Sequence, residues 1–313
     1  MIRRPPRSTL DRSSAASDVY KRQVYNKKIY KGYFTLPAFV VYTLLFMVPV
    51  VLNFYFSLTD WNALKISGET ARFIGFKNFQ KIFQNPELLS VIGRTVVFAA
   101  VMTLFKNVIG FALALAFNEG MKSKNVLRAV FFLPAMLSPL IIGLIFGSIF
   151  MKAGFANQLL SAIGLENLSK AWLTTKDTAL GTTMFVEIWR QVGFNMVIYL
   201  AGLQLIDKSY YEAASVDGAN GLQKMLYITI PRLMPSFIIN LLLNLSQGLK
   251  AFDIIFVLTG GGPAGSTELI NTLVFKEFGK GLYGMSAAYG VIVFIITAIF
   301  GIAVLRIKDG SDD

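Results

Sequence analysis

Charged and amide side chains recur at helical spacing within an otherwise apolar stretch of this chain. Glu187, Gln191 and Asn195 follow one another at steps of four, and Arg190 lies three residues after Glu187. Residues three or four apart share one face of a helix, so these groups form a stripe in which Glu187 and Arg190 can pair. The stripe offers ion-pair and hydrogen-bond chemistry to a polar ligand or to a neighbouring helix.

A second polar stripe lies further along the chain. Asn240, Asn244 and Gln247 share a helix face, and Lys250 and Asp253 follow one turn later. Amide groups both donate and accept hydrogen bonds, and aromatic rings flank them, which suits the hydroxyl groups and C–H faces of a polyhydroxylated ligand. The nine residues of the two stripes are therefore the candidates for lining a polar pathway.

The same residues also allow a purely structural interpretation. Asn and Gln side chains join helices across a bundle, and Glu187 with Arg190, or Lys250 with Asp253, can be internal ion pairs. Lys106, in another apolar stretch, has no obvious local partner. Both interpretations stay open for each candidate, although at least one stripe is expected to line the pathway.

The composition is that of a membrane protein. Apolar residues make up 54% of the 313 positions and charged residues only 15%, whereas a soluble domain of this length carries more charge. Cysteine and histidine are absent, which excludes disulfides, zinc clusters and catalytic pairs built on either residue. In such a protein the net charge of +12 indicates basic residues at cytoplasmic helix ends and not a nucleic-acid partner.

Apolar runs of about 20 residues, the length that crosses a bilayer, predict an all-α polytopic protein with about six transmembrane helices. No internal repeat is evident, so one transmembrane domain suffices. Kinks are expected at Pro37, Pro49, Pro134 and Pro139, which lie inside or near these runs. The predicted spans are Phe34 to Ser57, Val91 to Phe117, Val126 to Met151, Ala179 to Leu205, Met234 to Leu258 and Gly284 to Arg306.

Residues 1–23 differ from the rest of the chain. They hold six of the 30 Lys and Arg residues, lack an apolar signal segment, and resemble translated sequencing-adapter sequence. We expect a native start near Val24 and normal insertion without them. Lys27, Lys28 and Lys31 favour a cytoplasmic N-terminus. The predicted organisation is a non-native leader at 1–23, a cytoplasmic tail at 24–33, a transmembrane domain at 34–306 and a cytoplasmic tail at 307–313.

The polar stretch after the fourth predicted span encodes two short helices. Ser209 and Glu212 have the spacing of a capping box, which predicts the start of the first helix. Gly218 can adopt the left-handed conformation that ends this helix. Asn220 with Gln223 predicts a second capping pair at the start of the next helix.

An apolar stripe follows from these two helices. Its members recur at steps of three or four and can face a partner's groove or the membrane surface. Pro231 is expected to break the second helix before the membrane. The stripe consists of Tyr211, Ala214, Gly218, Leu222 and Met225.

This segment resembles the EAA loop of binding-protein-dependent ABC importers, in which Glu-Ala-Ala is followed by Gly and later by Ile and Pro. The resemblance implies that residues 206–232 form a cytoplasmic coupling loop, which docks into a cleft of a separate ATPase with Glu212 near a basic residue. Glu212 can instead merely cap its helix. Carbohydrate-type members often have aromatic residues where this chain has Leu222 and Met225. The implied coupling residues are Glu212, Ala213, Ala214, Asp217, Gly218, Leu222, Met225, Ile228 and Pro231.

A second resemblance, from roughly Tyr33 to the end, is to carbohydrate-uptake permeases of the maltose and glycerol-phosphate type. It lies in FTLPAFVVYTLLFMVPVV, FIGFKNFQKIF and AFDIIFVLTGGGPAGST. The Gly-rich run lacks the Gly-Lys-Ser/Thr ending of a P-loop, so a flexible outside loop is expected there and ATP is used by the partner subunit. The chain itself is expected to bind no cofactor or metal.

The family resemblance implies a type I importer permease in the bacterial cytoplasmic membrane, with both termini cytoplasmic. Its expected partners are an ABC ATPase dimer, a second related permease, an extracytoplasmic solute-binding protein and the lipid bilayer. The alternative function is an ion-coupled secondary transporter that uses Glu187 or Asp253, and the absence of inverted repeats weighs against it. A membrane-embedded enzyme is a distant third, because no catalytic pair is recognisable.

Overall fold

The computed structural model describes residues 32–63, 71–118 and 123–309. The predicted leader and the lysines that favour a cytoplasmic N-terminus lie outside the described residues. The chain divides into two compact units, of which one ends at Asn53 and the other begins at Phe54. Helix α1, Leu36–Ser57, belongs largely to the first unit. None of its side chains from Leu36 to Met47 is buried within that unit.

The second unit is helical over most of its described length. The helices after α1 are α2 (Lys77–Gln84), α3 (Pro86–Asn118), α4 (Lys124–Met136), α5 (Pro139–Ile149), α6 (Phe155–Ala162), α7 (Lys176–Gln204), α8 (Lys208–Val216), α9 (Gly221–Arg232), α10 (Met234–Leu249), α11 (Asp253–Leu258), α12 (Ile270–Gly279) and α13 (Tyr283–Asp309).

Three helices among the described residues, α1, α3 and α13, are each long and apolar enough to cross a membrane. The number rises to five if the bent pairs α4–α5 and α9–α10 each count as one span. Helix α7, the fourth predicted span, has 29 residues, about 44 Å at 1.5 Å per residue. It is long enough to cross, but its stripe of charged and amide residues lowers its hydropathy. The polytopic all-α prediction is confirmed.

The third predicted span, Val126 to Met151, bends by 98° between α4 and α5. The residue before a proline disfavours the helical conformation, and Ser138 before Pro139 is extended. The Ser138 side chain accepts a hydrogen bond from the Leu140 N–H, which caps α5, while Pro139 occupies its first turn. The kink expected at Pro139 is therefore a complete break.

The fifth predicted span, Met234 to Leu258, ends early. Helix α10 stops at Leu249, and the chain resumes as the short helix α11 at Asp253. The predicted break at Pro231 is also misplaced, because α9 continues through that residue and the bend of 64° falls before α10. Over Met225–Thr229 the helix widens into a π turn, which gives the proline ring room against the preceding turn.

Small residues allow close helix crossings around α3 and α7. Gly248 of α10 lies directly against Ala99 of α3, and Gly110 of α3 lies against Asn195 of α7. Helices in membranes associate through such close packing, because lipid is as apolar as a leucine side chain and provides no hydrophobic drive between them. The α3, α7 and α10 backbones therefore form the framework that holds both polar stripes.

Gly193 on α7 provides a test of this packing. A Cβ atom there would overlap the Phe131 carbonyl of α4, whereas a Cβ atom at Gly181 on the same helix would meet no atom within 4 Å. We expect Gly193→Ala to destabilise the folded protein by about 1–3 kcal/mol through overpacking. Gly181→Ala is the matched control and should be neutral or slightly stabilising. Thermal midpoints of the purified variants compare the two, and equal midpoints would contradict the close α4–α7 contact.

The Gly-rich run after α11 is a hydrogen-bonded turn structure and not the flexible open loop that was expected. The hydroxyl groups of Thr259 and Thr267 are 2.7 Å apart, and Thr267 Oγ1 also donates to the Gly262 carbonyl at 2.7 Å. From α3, Arg94 Nη1 donates to the carbonyls of Gly265 and Glu268 at 2.6 and 3.0 Å. The run is thus fixed to the framework helix α3.

Candidate functional site

A largely buried cluster of charges lies at the start of the first polar stripe. Glu187 accepts hydrogen bonds from Arg190 Nε at 2.8 Å and Arg190 Nη2 at 2.9 Å, so the predicted i, i+3 pair is confirmed. Lys106 Nζ of α3 lies 3.4 Å from Glu187 Oε1. Lys106 thus has a partner, 81 residues away in sequence, that local spacing gave no means to find. The Glu187 carboxylate therefore contacts two cations, Lys106 and Arg190.

Gln191 extends this cluster. With its amide oxygen turned toward Arg190, Gln191 accepts from Arg190 Nη2 and Nη1 at 2.8 and 2.9 Å. The guanidinium group is therefore held between a carboxylate and an amide, which fixes its position through charge-assisted hydrogen bonds.

A cleft of about 400 Å³ opens beside the cluster. It lies between α7, the end of α10 and the start of α11, and Phe252 contributes an aromatic wall. Both charge signs and two amides line it, so it offers donors and acceptors together. Six of the nine predicted pathway residues line this cleft, namely Glu187, Arg190, Gln191, Gln247, Lys250 and Asp253.

The remaining three predicted pathway residues lie between helices. Asn195 of α7 and Asn244 of α10 form a reciprocal amide pair, with Nδ2 to Oδ1 distances of 3.3 and 2.5 Å. Asn240 Nδ2 donates to the Asn195 carbonyl at 3.4 Å. All three side chains are buried. Their hydrogen bonds favour the helix-joining interpretation, and none of them lines the cleft.

Lys250 and Asp253 do not form the internal pair that was considered. Lys250 caps the end of α10 and Asp253 begins α11, and no ion pair joins them among the residues that the structure describes. The early end of α10 removes the helical spacing on which that pairing depended. Both side chains are exposed at the cleft, where they are available to a ligand.

Helix α8 lies in residues 206–232, the predicted coupling loop, which is called the coupling loop below. It begins with a different cap from the predicted one. The Asp207 side chain accepts from the Ser209 N–H at 2.9 Å, so the proposed box of Ser209 and Glu212 is wrong. This backbone hydrogen bond stabilises the charged carboxylate and lowers the pKa of Asp207. The cap is therefore present at neutral pH and is lost only as the pH falls through that lowered pKa.

The turn between the two helices of the coupling loop follows the prediction. Gly218 has a φ of +77°. The N–H of Ala219 donates to the Ala214 carbonyl at 2.8 Å and that of Gly218 to the Ser215 carbonyl at 3.2 Å, which is the Schellman pattern. Asn220 and Gln223 then form the predicted capping box at the start of α9, with distances of 2.8 and 2.9 Å.

The coupling loop exposes groups that nothing in the described chain satisfies. Glu212 is exposed and makes no hydrogen bond or ion pair with any described residue, which excludes the interpretation that it only caps its helix. Large apolar side chains are exposed beside it, including Val216 at 88% and Tyr227 at 79%. An open groove of about 350 Å³ separates the two helices. Its lining includes the predicted coupling residues Ala214, Asp217, Gly218 and Ile228.

The other predicted coupling residues lie around this groove. Leu222 and Pro231 are exposed and Met225 is half-buried, and Ala213 is exposed beside Glu212. The predicted apolar stripe is only partly continuous, because Tyr211 turns inward and its hydroxyl lies 2.9 Å from Thr229 Oγ1. This contact joins α8 to α9.

A family model described as a binding-protein-dependent transport system inner membrane component matches residues 106–310. The chain belongs to this family. The permease is 34% identical to the multiple sugar-binding transport system permease protein MsmF of Streptococcus mutans, over 92% of this chain and 97% of that protein. It is 32% identical to the trehalose/maltose transport system permease protein MalF of Thermococcus litoralis, over 87% and 91% of the two chains.

Solved structures agree with the type I importer permease fold. The permease superposes on a chain of a bacterial alginate ABC transporter with a TM-score of 0.74 at 22% identity. That transporter was solved in complex with an alginate pentasaccharide-bound periplasmic protein. The alignment covers 92% of the permease and 94% of that chain. The permease is therefore a membrane-spanning transport subunit of an ABC importer, as predicted, and the ATPase is a separate subunit.

Proposed function

We propose that the permease forms part of the membrane pathway for a sugar or sugar-like solute, delivered by an extracytoplasmic binding protein. The cleft carries this proposal. Its amide, guanidinium, ammonium and carboxylate groups can bond to hydroxyls that act as donor and acceptor. The names of the relatives MsmF and MalF, which refer to sugars, support the same solute class.

An aromatic cluster at the cleft supports a solute with C–H faces. Phe252 stacks on Phe256 at 5.1 Å between ring centroids, and Phe275 lies 5.1 Å from Phe252 and 5.0 Å from Phe256. Phe252 lines the cleft, so a sugar ring can lie against an apolar surface while its hydroxyls reach the polar wall.

The coupling loop is proposed to dock into a separate cytoplasmic ATPase. Glu212 has no partner among the described residues and suits a basic residue of the ATPase, while the exposed apolar side chains around the groove suit an apolar cleft. This assignment places both termini in the cytoplasm of a bacterial cell. A second, related permease is proposed to complete the pathway, as the family resemblance implies.

The charge cluster gives no support to ion-coupled transport through Glu187, one of the two carboxylates considered for it. The other, Asp253, is exposed at the cleft, and the uptake experiment below tests it. A proton or sodium site needs a carboxylate with free acceptor capacity, whereas Glu187 is bound by both Lys106 and Arg190. Uptake by membrane vesicles is expected to follow ATP and to ignore a proton uncoupler. Uptake that collapses with the uncoupler at constant ATP would contradict the ATP-driven mechanism.

Two amide variants test the cleft as the pathway. Gln247→Ala removes a side chain that lines the cleft and forms no hydrogen bond with any described residue. We therefore expect altered solute affinity or transport in a normally assembled complex. Asn244→Ala leaves the buried Asn195 Oδ1 without its hydrogen-bond donor, which costs about 1–3 kcal/mol of folding free energy. Sugar uptake and the yield of assembled complex separate the two effects. Unchanged transport kinetics in Gln247→Ala, with assembly intact, would count against the pathway assignment.

A further inference from the structure

The segment between α5 and α7 is held together by hydrogen bonds of one asparagine side chain. This residue, Asn157 of α6, is buried. Its Nδ2 donates to the carbonyls of Lys152 and Lys170 at 3.0 and 2.9 Å, and its Oδ1 accepts from Trp172 Nε1 at 2.8 Å. One side chain thus joins both ends of the segment to the first turn of α6.

One face of α6 is apolar and exposed. Phe155, Leu159 and Ile163 recur at steps of four and are all more than a third exposed. At 100° per residue they form a narrow row on the face away from the buried Asn157. The segment directly follows α5, an apolar helix, and leads into α7, so this row lies at the end of membrane-embedded helices. An apolar row in that position is typical of a helix that lies in the membrane interface.

A hollow of about 670 Å³ opens beside the row. Among the described residues, two ammonium groups, two hydroxyls and two amides line it, one of the amides being that of Asn157, and no carboxylate does. Lys152 and Lys170 form no ion pair within the described part of the chain. The polar lining residues are Lys152, Asn157, Gln158, Ser161, Ser169 and Lys170.

The geometry points to a binding site for the phosphate headgroup of an anionic phospholipid in the adjacent leaflet. The cationic hollow takes the phosphate, and the acyl chains lie along the apolar row of α6. The two features are contiguous on one segment, which matches the amphipathic form of a lipid. A free phosphate ion or an acidic protein surface has no acyl chains to cover the apolar row of α6. Membrane surfaces rich in anionic lipid attract lysine side chains in this way.

Quenching of Trp172 fluorescence by brominated lipids tests the site. Trp172 donates a hydrogen bond to Asn157, which lines the hollow. Trp61→Phe with Trp189→Phe leaves Trp172 as the single reporter among the three tryptophans of the chain. The purified permease is placed in bilayers with brominated phosphatidylglycerol or brominated phosphatidylcholine. We expect quenching at about tenfold lower mole fraction of the anionic lipid, reversed by unbrominated phosphatidylglycerol.

Variants and competitors decide the source of the anion. Lys152→Gln with Lys170→Gln should abolish the preference, whereas Lys176→Gln, an exposed lysine outside the hollow, should keep it. Equal quenching by the two lipids in the parent protein would overturn the proposal. Reversal of quenching by millimolar inorganic phosphate would overturn it in favour of a free-anion site. Reversal by the purified solute-binding protein alone would overturn it in favour of a protein-docking surface.

Discussion

Glu187→Gln is expected to destabilise the permease more than any other single change in its cleft. The substitution leaves the Lys106 and Arg190 cations buried together without the carboxylate that both contact. Breaking a buried ion pair by removing one partner costs about 3–5 kcal/mol, because the remaining charge stays desolvated. We therefore expect little folded protein in the membrane and no measurable uptake.

Charge counting provides the controls for this expectation. Lys106→Met removes one of the two cations and leaves a balanced pair of Glu187 and Arg190, so its effect should be much smaller. Combining Lys106→Met with Glu187→Gln should restore part of the lost stability. Thermal midpoints and the amount of protein extracted from membranes measure these differences. A Glu187→Gln protein as stable as Lys106→Met would show that the cluster is not held by charge balance.

The charge cluster also shows which contacts can be predicted from the spacing of residues along a helix. The pairing of Glu187 with Arg190 is local, because residues three apart on a helix must be neighbours. Lys106 reaches the same carboxylate only because α3 packs against α7, and that packing depends on small residues such as Gly110 at the crossing. A buried lysine without a local partner was the signal that such a contact existed, but its identity required the tertiary structure.

The two stripes were predicted as helix faces, and only one end of each lines the cleft. Asn244 and Gln247 are three residues apart and share a face, yet Asn244 lies between two helices while Gln247 reaches the cleft. The difference is depth along α10 and not orientation around it. Helical periodicity reports orientation alone, so the sequence could name the candidates but could not separate those that join helices from those that face a cavity.

Chemical constraint decided which parts of the coupling loop were predictable. Gly218 occupies a left-handed position that a residue with a Cβ disfavours, and Asn220 with Gln223 had no rival as a capping pair. The start of α8 was predicted wrongly, because only the Ser209 and Glu212 spacing was considered. The cap is Asp207, two residues upstream of Ser209, whose carboxylate accepts from the Ser209 N–H.

Glu212→Ala separates docking from helix capping at the coupling loop. Because Asp207 provides the cap, loss of the Glu212 carboxylate should leave α8 intact and weaken only the association with the ATPase. Asp207→Ala is the matched control, since it should fray α8 without removing a docking charge. Helix content of a peptide spanning residues 206–232 and co-purification of the ATPase with the full importer give the two readouts. If Glu212→Ala co-purifies the ATPase normally, the carboxylate has no docking role.

Gly218→Leu is expected to produce the larger loss of coupling. Within the permease a Cβ atom at Gly218 meets no atom within 4 Å, so the direct cost is the left-handed backbone, about 1–2 kcal/mol. The added side chain would project from the groove and prevent close docking, which we expect to weaken ATPase association roughly 30-fold, or about 2 kcal/mol. Gly218→Asn is the matched variant for the backbone, because asparagine tolerates that conformation and is smaller. Solute-stimulated ATP hydrolysis in reconstituted vesicles should fall far more in Gly218→Leu than in Gly218→Asn. Since no described atom of the permease lies within 4 Å of a Cβ atom at Gly218, equal stimulation in the two variants would mean that no partner closes over the groove, and the coupling-loop assignment would be wrong.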